Sequence, residues 1–310
     1  MKTFSPKLDA ISENIIYLLS LDSRQTVSSL AQKLGVNRKI VENRFKKLFS
    51  EGFVKYLTVS NEKNRTRFTM LVKLKEMNEE TIEKLKKFGN LIKLKETLGT
   101  YDISILFDAY SLDEFNKTVS QVTNLLHNSL ITYDILPHNF EDTLGYKSFC
   151  HNPELLKHYS PLQSVKIELR PDEQQVLSII KKQTNLPLKE IAKQTKKGYS
   201  KVKEILNKLE QNQIVRYTID PNYNKLELEF HNMFIKINLG QKEQFEKFIT
   251  NHLRIHWIKR CSGKWDYCLS ITAQNMNEFV ETTKEIRTQN KNIILDDTTL
   301  ISHIKEMRRQ

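Results

Sequence analysis

The sequence predicts an α+β fold written twice, with three-helix units and β-α-β-β-α-β units alternating in an internal tandem repeat. Three observations predict it. At an offset of 161 the chain matches itself: residues 8–19 (LDAISENIIYLL) face 169–180 (LRPDEQQVLSII), and Phe53-Val54-Lys55-Tyr56 faces Ile214-Val215-Arg216-Tyr217. Farther along the offset becomes 164, where Gly99-x-Tyr101-Asp102 faces Gly263-x-Trp265-Asp266 and Phe115 faces Phe279. Self-similarity over half a chain fixes the architecture before any one element is read. Charge follows the same division. Residues 1–67 hold 13 Lys and Arg against 6 Asp and Glu, and residues 165–230 hold 13 against 9. The intervening 68–137 and the later 231–306 are nearly balanced, at 8 against 10 and 11 against 9.

In the first copy Leu8, Ile11, Ile15, Leu18 and Leu19 recur at helical spacing. Thr26 caps a short second helix through Leu30, Ala31 and Leu34, Gly35-Val36 turns the chain, and Asn37 caps a third helix to about Ser50. A short helix, a tight turn and a longer reader helix form a helix-turn-helix. Gly52 ends it. Residues 53–59 and 67–75 then alternate as two strands around the basic tip Lys63-Asn64-Arg65, the pattern of a wing. The second copy repeats the helices over 171–183, 188–194 and 199–211. Strands and helices then follow at 68–75, 79–88, 92–98, 103–109, 112–126 and 130–136, and again at 231–239, 242–251, 256–261, 267–273, 276–288 and 294–304. That order is ferredoxin-like. The expected domains are winged helix-turn-helix units at 1–67 and 165–230 and ferredoxin-like units at 68–137 and 231–310. A linker at 138–164, carrying Pro153 and Pro161, joins the copies.

Composition narrows the function. The net charge of +12 suits a polyanionic partner. Eight scattered glycines write neither a G-x-G-x-x-G nor a Walker loop, which argues against those phosphate cradles. No stretch approaches the roughly 18 apolar residues that span a bilayer, and Asp9 and Glu13 interrupt what would be a secretory h-region, so a soluble cytoplasmic protein without a membrane partner is expected. Cys150, Cys261 and Cys268 form no C-x-x-C pair. Cys261, Cys268 and His256 lack a convincing fourth ligand for zinc and read as core residues, so no metal or cofactor is expected. Spacing singles out no catalytic triad.

The candidate binding residues lie on the two reader helices. With Val41, Phe45 and Leu48 on the buried face of the first, Lys39, Asn43 and Lys46 point the other way, and Arg38 and Arg44 flank it. Lysines there suit phosphates, while Arg38, Lys39 or Asn43 can reach base edges from the first turns. Lys63 and Arg65 extend the surface at the wing. On the second reader Val202, Leu206 and Leu209 are buried and Ser200, Glu204 and Asn207 exposed, ringed by Lys196, Lys197, Lys201 and Lys203. In the two G-x-aromatic-Asp hairpins, Gly99 and Gly263 supply positive φ and Asp102 and Asp266 cap the turn.

Val41-x-x-Arg44 and Leu48-x-x-x-Gly52-Phe53-Val54, followed by a βαββαβ module with Gly99-x-Tyr101-Asp102, resemble the Lrp/AsnC (feast/famine) family of transcription regulators. The second copy resembles it with two departures, Ile205 in place of Arg44 and Asn212-Gln213 where the helix-ending glycine falls. The resemblance implies a sequence-specific regulator of transcription that binds double-stranded DNA, with the ferredoxin-like units as RAM domains. It also implies a small amino-acid-like effector near Gly99, Asp102, Gly263 and Asp266, and an internal pseudo-dimer able to form homo-oligomers. The rival readings are a sirohaem-decarboxylase-like enzyme, hinted at by His256-Trp257-Ile258-Lys259-Arg260, and an effector-sensing adaptor whose heads do not bind DNA.

Overall fold

The computed structural model describes residues 3–61, 65–156 and 168–308, with side chains to residue 302. Three helices open the chain: α1 (Ala10–Leu21), α2 (Val27–Leu34) and α3 (Arg38–Ser50). The strand β1 (Val54–Ser60) follows, and then β2 (Thr66–Leu74), α4 (Glu79–Lys86), β3 (Leu91–Gly99), β4 (Ile103–Ala109), α5 (Leu112–Leu126) and β5 (Leu130–Thr143). After two short 3₁₀ turns the pattern recurs as α6 (Pro171–Lys182), α7 (Leu188–Thr195), α8 (Tyr199–Gln211) and β6 (Val215–Pro221). A single-turn helix, α9 (Tyr223–Leu226), precedes β7 (Glu229–Ile237), α10 (Lys242–Asn251), β8 (Ile255–Cys261), β9 (Tyr267–Ala273), α11 (Met276–Gln289) and β10 (Ile294–Arg308).

Eight strands close a barrel in the order β10-β3-β4-β2-β5-β8-β9-β7, with every neighbouring pair antiparallel. Four consecutive strands come from each copy, and the seams β5–β8 and β3–β10 join the copies. Alternation along the strands sets the layers. Phe68, Met70, Val72 and Leu74 of β2 pack outward against Ile82 and Leu85 of α4 and Val122 and Leu126 of α5. Met233, Ile235 and Ile237 of β7 do the same with Phe245 and Ile249 of α10 and Phe279 and Ile286 of α11. The strands' other faces enclose Leu71, Tyr101, Leu136, Phe234, Cys261, Trp265, Cys268 and Leu300. Both cysteines are thus core residues. Among the described residues no helix is long and apolar enough to cross a membrane.

Two expectations are corrected. The wing of 53–59 against 67–75 does not form: β1 pairs antiparallel with β6 of the other copy, from Val54↔Pro221 to Ser60↔Val215. The cause is that β2 is already held on both edges, by β4 and β5, and has none left for β1. Residues 138–143, expected in the linker, continue β5 and pair with β8, from His138↔Cys261 to Thr143↔Trp257. The β1–β6 ribbon also clamps the helical units crosswise. Thr58 Oγ1 donates to Ile180 O of α6 and Thr218 Oγ1 to Ser20 O of α1, each at 2.8 Å.

Candidate nucleic-acid interface

Local chemistry shapes α2 and α3. Thr26 Oγ1 accepts from Ser29 N at 3.1 Å and starts α2, Gly35 turns the chain at φ 64°, and Asn37 Oδ1 accepts from Lys39 N at 2.8 Å to start α3. Val41 and Leu48 are buried in a core with Ile15, Ile16, Leu19 and Leu30. That core extends to Tyr146 and Phe149 beyond β5 and to Tyr223 and Leu226 of α9. With the core face fixed, Lys39, Asn43 and Lys46 are exposed together opposite it, and Arg38, expected at the flank, is exposed as well. Glu42 stands among them, 2.7 Å from Lys46 Nζ and 3.5 Å from Lys39 Nζ, and these ammonium groups hold its carboxyl below the usual range. Solvent screens such exposed pairs, so both lysines are free to turn to a phosphate.

Two expected members stand elsewhere. Arg44 Nε donates to Asp9 Oδ2 at 2.7 Å, at the start of α1, and ties two helices of the unit together. Arg65, expected at a solvent-facing tip, has a side chain only 5% exposed, 3.8 Å from Asp108. It is drawn in by the barrel's acidic residues, and the expectation is corrected accordingly. Lys63 lies outside the described residues.

On α8, Val202, Ile205, Leu206 and Leu209 are buried in a core with Val176, Ile180 and Ile191. Ser200, Lys203, Glu204 and Asn207 are exposed, Lys201 and Lys197 are half-buried, and Lys201 Nζ pairs with Glu204 Oε1 at 2.9 Å. Lys196 occupies the turn between α7 and α8 with φ 54°. α3 and α8 therefore share a position in the fold but not an outward face.

The hairpins are built for close approach rather than for a free carboxylate. Asp102 Oδ1 accepts from Lys73 Nζ at 2.9 Å and Oδ2 from Leu74 N at 2.8 Å, and Asp266 does the same with Lys236 Nζ at 3.0 Å and Ile237 N at 2.9 Å. These bonds tie each hairpin to the first strand of its own module, a correction to the expected turn cap. Gly99 has φ 129°, and a Cβ there would lie 2.8 Å from Thr299 O across the seam. The same atom on Gly263, φ 110°, would lie 3.1 Å from Ile135 O.

Sequence reasoning missed the barrel's polar interior. Arg67 makes two bonds to Asp108, Nε–Oδ1 2.7 Å and Nη2–Oδ2 2.9 Å, and a further one to Glu141. His138 lies beside them with Nε2 2.8 Å from Thr69 Oγ1. The equivalent cross-strand pair in the other module is Phe230 and Thr272. There Lys95 Nζ sits 3.8 Å above the Phe230 ring, and buried His256 contacts Thr272 Oγ1 at 2.8 Å and Tyr223 OH at 3.1 Å. Alternation marks these positions as inward, but nothing in one copy alone marks which inward residues meet. A cavity of about 560 Å³ opens between α10 and α11, lined by Lys247, Phe248, His252, Arg254 and Glu285, and holds none of the expected residues.

Comparison with known proteins decides the family. No family model matches the sequence. Over 116 residues the chain is 30% identical to the HTH-type transcriptional regulator Ptr1 of Methanocaldococcus jannaschii, spanning 35% of this chain and 78% of that protein. The chain belongs to the same family of HTH-type transcriptional regulators as Ptr1. It is also 26% identical to the regulator LysM of Sulfurisphaera tokodaii over 121 residues, 38% of this chain and 86% of that one. Each regulator corresponds to well under half of the chain. The sirohaem decarboxylase NirDL aligns with nearly all of it, 97% of this chain and 93% of that one, with a TM-score of 0.60 and 12% identity. At that identity the likeness is one of fold.

Proposed function

We propose that the chain is a sequence-specific regulator of transcription in which two helix-turn-helix heads, α1–α3 and α6–α8, are carried on one barrel made of two ferredoxin-like modules. In this reading the tandem copies form a pseudo-dimer within one chain, and α3 and α8 enter the major groove of double-stranded DNA. One observation carries it: Lys39, Asn43 and Lys46 stand together and exposed on the core-opposed side of α3, with Arg38 exposed beside them in its first turn. The arrangement supplies cations for phosphates and an amide for a base edge. Lys196 and Lys197 in the turn before α8, with Ser200, Lys201 and Lys203 on it, supply a weaker counterpart, where Glu204 faces outward.

Salt dependence tests it. Log affinity for selected genomic fragments is expected to fall with log salt at a slope of roughly −0.9 per phosphate neutralised. Lys39→Ala with Lys46→Ala makes the slope shallower and weakens binding. An unchanged slope and affinity would show that α3 does not face DNA, and no shift of any fragment would favour the adaptor reading.

A small amino-acid-like effector belongs to the same proposal, at the hairpin end of the barrel. Its ammonium group would have to displace Lys73 from Asp102 or Lys236 from Asp266. The sirohaem-decarboxylase-like reading is favoured by the whole-chain likeness in fold. Against it, His256 is buried with both ring nitrogens engaged, and Arg260 is held by two bonds to Glu246 at 2.7 and 2.8 Å. Titration with sirohaem, followed by ultraviolet-visible absorption, is expected to leave the pigment's main band unmoved. A saturable shift would favour the enzyme.

A further inference from the structure

Ile40 is an apolar side chain on a polar face. It is 41% exposed and has no place in the core of the first head. At about 100° per residue it lies a quarter-turn from the buried Val41, on the flank shared with Asn43 and Lys47 and away from Phe45. Arg38 and Lys39 precede it in the first turn of α3, and Asn43, Lys46 and Lys47 are exposed around it. The core therefore does not account for an isoleucine here, and water is the poorer environment for it.

We infer that Ile40 reads thymine. The inference rests on α3 being the DNA-facing helix. In the major groove, base edges present hydrogen-bond donors and acceptors, and the apolar feature among them is the thymine 5-methyl. With Lys39 held by a phosphate and Asn43 turned to a base edge, a branched aliphatic side chain on Asn43's flank covers that methyl and is itself removed from water. Such a contact favours thymine over cytosine at one position. The aligned residue of the second head is Lys201, paired with Glu204, so the preference belongs to one half-site only.

The test removes the methyl alone. In a duplex recovered by selection on the full chain, each thymine is replaced in turn by deoxyuridine, which keeps the base pair and all its hydrogen-bonding groups. The expected result is a loss of roughly fourfold to tenfold at one position in one half-site, the scale of burying one methyl group. Ile40→Ala should bind the thymine and deoxyuridine duplexes equally, while Ile40→Val, which keeps the branch at Cβ, should still tell them apart. A wild-type chain indifferent to every replacement overturns the inference while leaving DNA reading intact, and so does an Ile40→Ala chain with full sensitivity. A chain that selects no duplex at all overturns both together.

Discussion

Gly35 and Gly52 hold φ of 64° and 69° at the ends of α2 and α3, and in the second copy Lys196 and Gln213 hold 54° at the matching turns. A side chain in the left-handed region is strained where glycine is not. Lys196→Gly is thus expected to stabilise the second helical unit by up to about 1 kcal/mol, seen as a higher denaturation midpoint at unchanged slope. The absence of glycine at residue 213 was legible in the sequence, but the retained backbone geometry was not, because propensity favours a different turn there. Two buried histidines give a second residue-scale outcome. Burial holds His138 neutral down to about 4 and His256 down to about 3. Unfolded, each takes up a proton near 6.5, so below that pH the unfolded chain binds protons that the folded chain refuses. Stability therefore falls as pH drops from about 6.5 towards 4, by about 2 kcal/mol per histidine between pH 7 and 5. Urea unfolding at the two pH values measures it, and His256→Gln should make the drop smaller by that histidine's share.

At the scale of elements, helices and barrel strands were readable because their periods are local. Each reader helix, both βαββαβ orders and the opposed faces of α3 follow from spacing within some fifteen residues. What failed was pairing between distant segments. A wing and the β1–β6 ribbon both use β1 as a strand in antiparallel pairing, so the sequence of one copy cannot choose between them. Beyond Leu136, β5 shows no alternation because residues 140–146 are buried on both sides, where the strand leaves the barrel towards the ribbon. Arg216 of β6 meets Asp142 there at 3.4 Å. The hairpin glycines were found for an incomplete reason, since positive φ is only half of their role. Gly99→Ala sets a Cβ against Thr299 O in a conformation that disfavours it, and a loss of about 2 kcal/mol or more is expected, read from thermal or urea unfolding. Gly263→Ala, with 3.1 Å to its nearest atom, should cost less.

For the whole molecule, the seams decide what is a unit. Both barrel seams and the ribbon join one copy to the other, so each copy alone leaves three strand edges unpaired. Residues 1–150 and 160–310, expressed separately, are expected to unfold without a sharp transition and to recover one on mixing. A cooperative half, or halves that do not associate, would count against the closed barrel as the folding unit. The ribbon carries a further consequence, for dilution. A sheet closed between two separate molecules comes apart once their concentration falls below the dissociation constant, and its paired heads are lost with it. Here the partner strand is tethered at an effective concentration that no dilution changes. At a handful of molecules per cell α3 and α8 stay paired, and occupancy of a target that one chain fills should follow a simple hyperbola down to the lowest concentrations, with no lag from subunits finding one another.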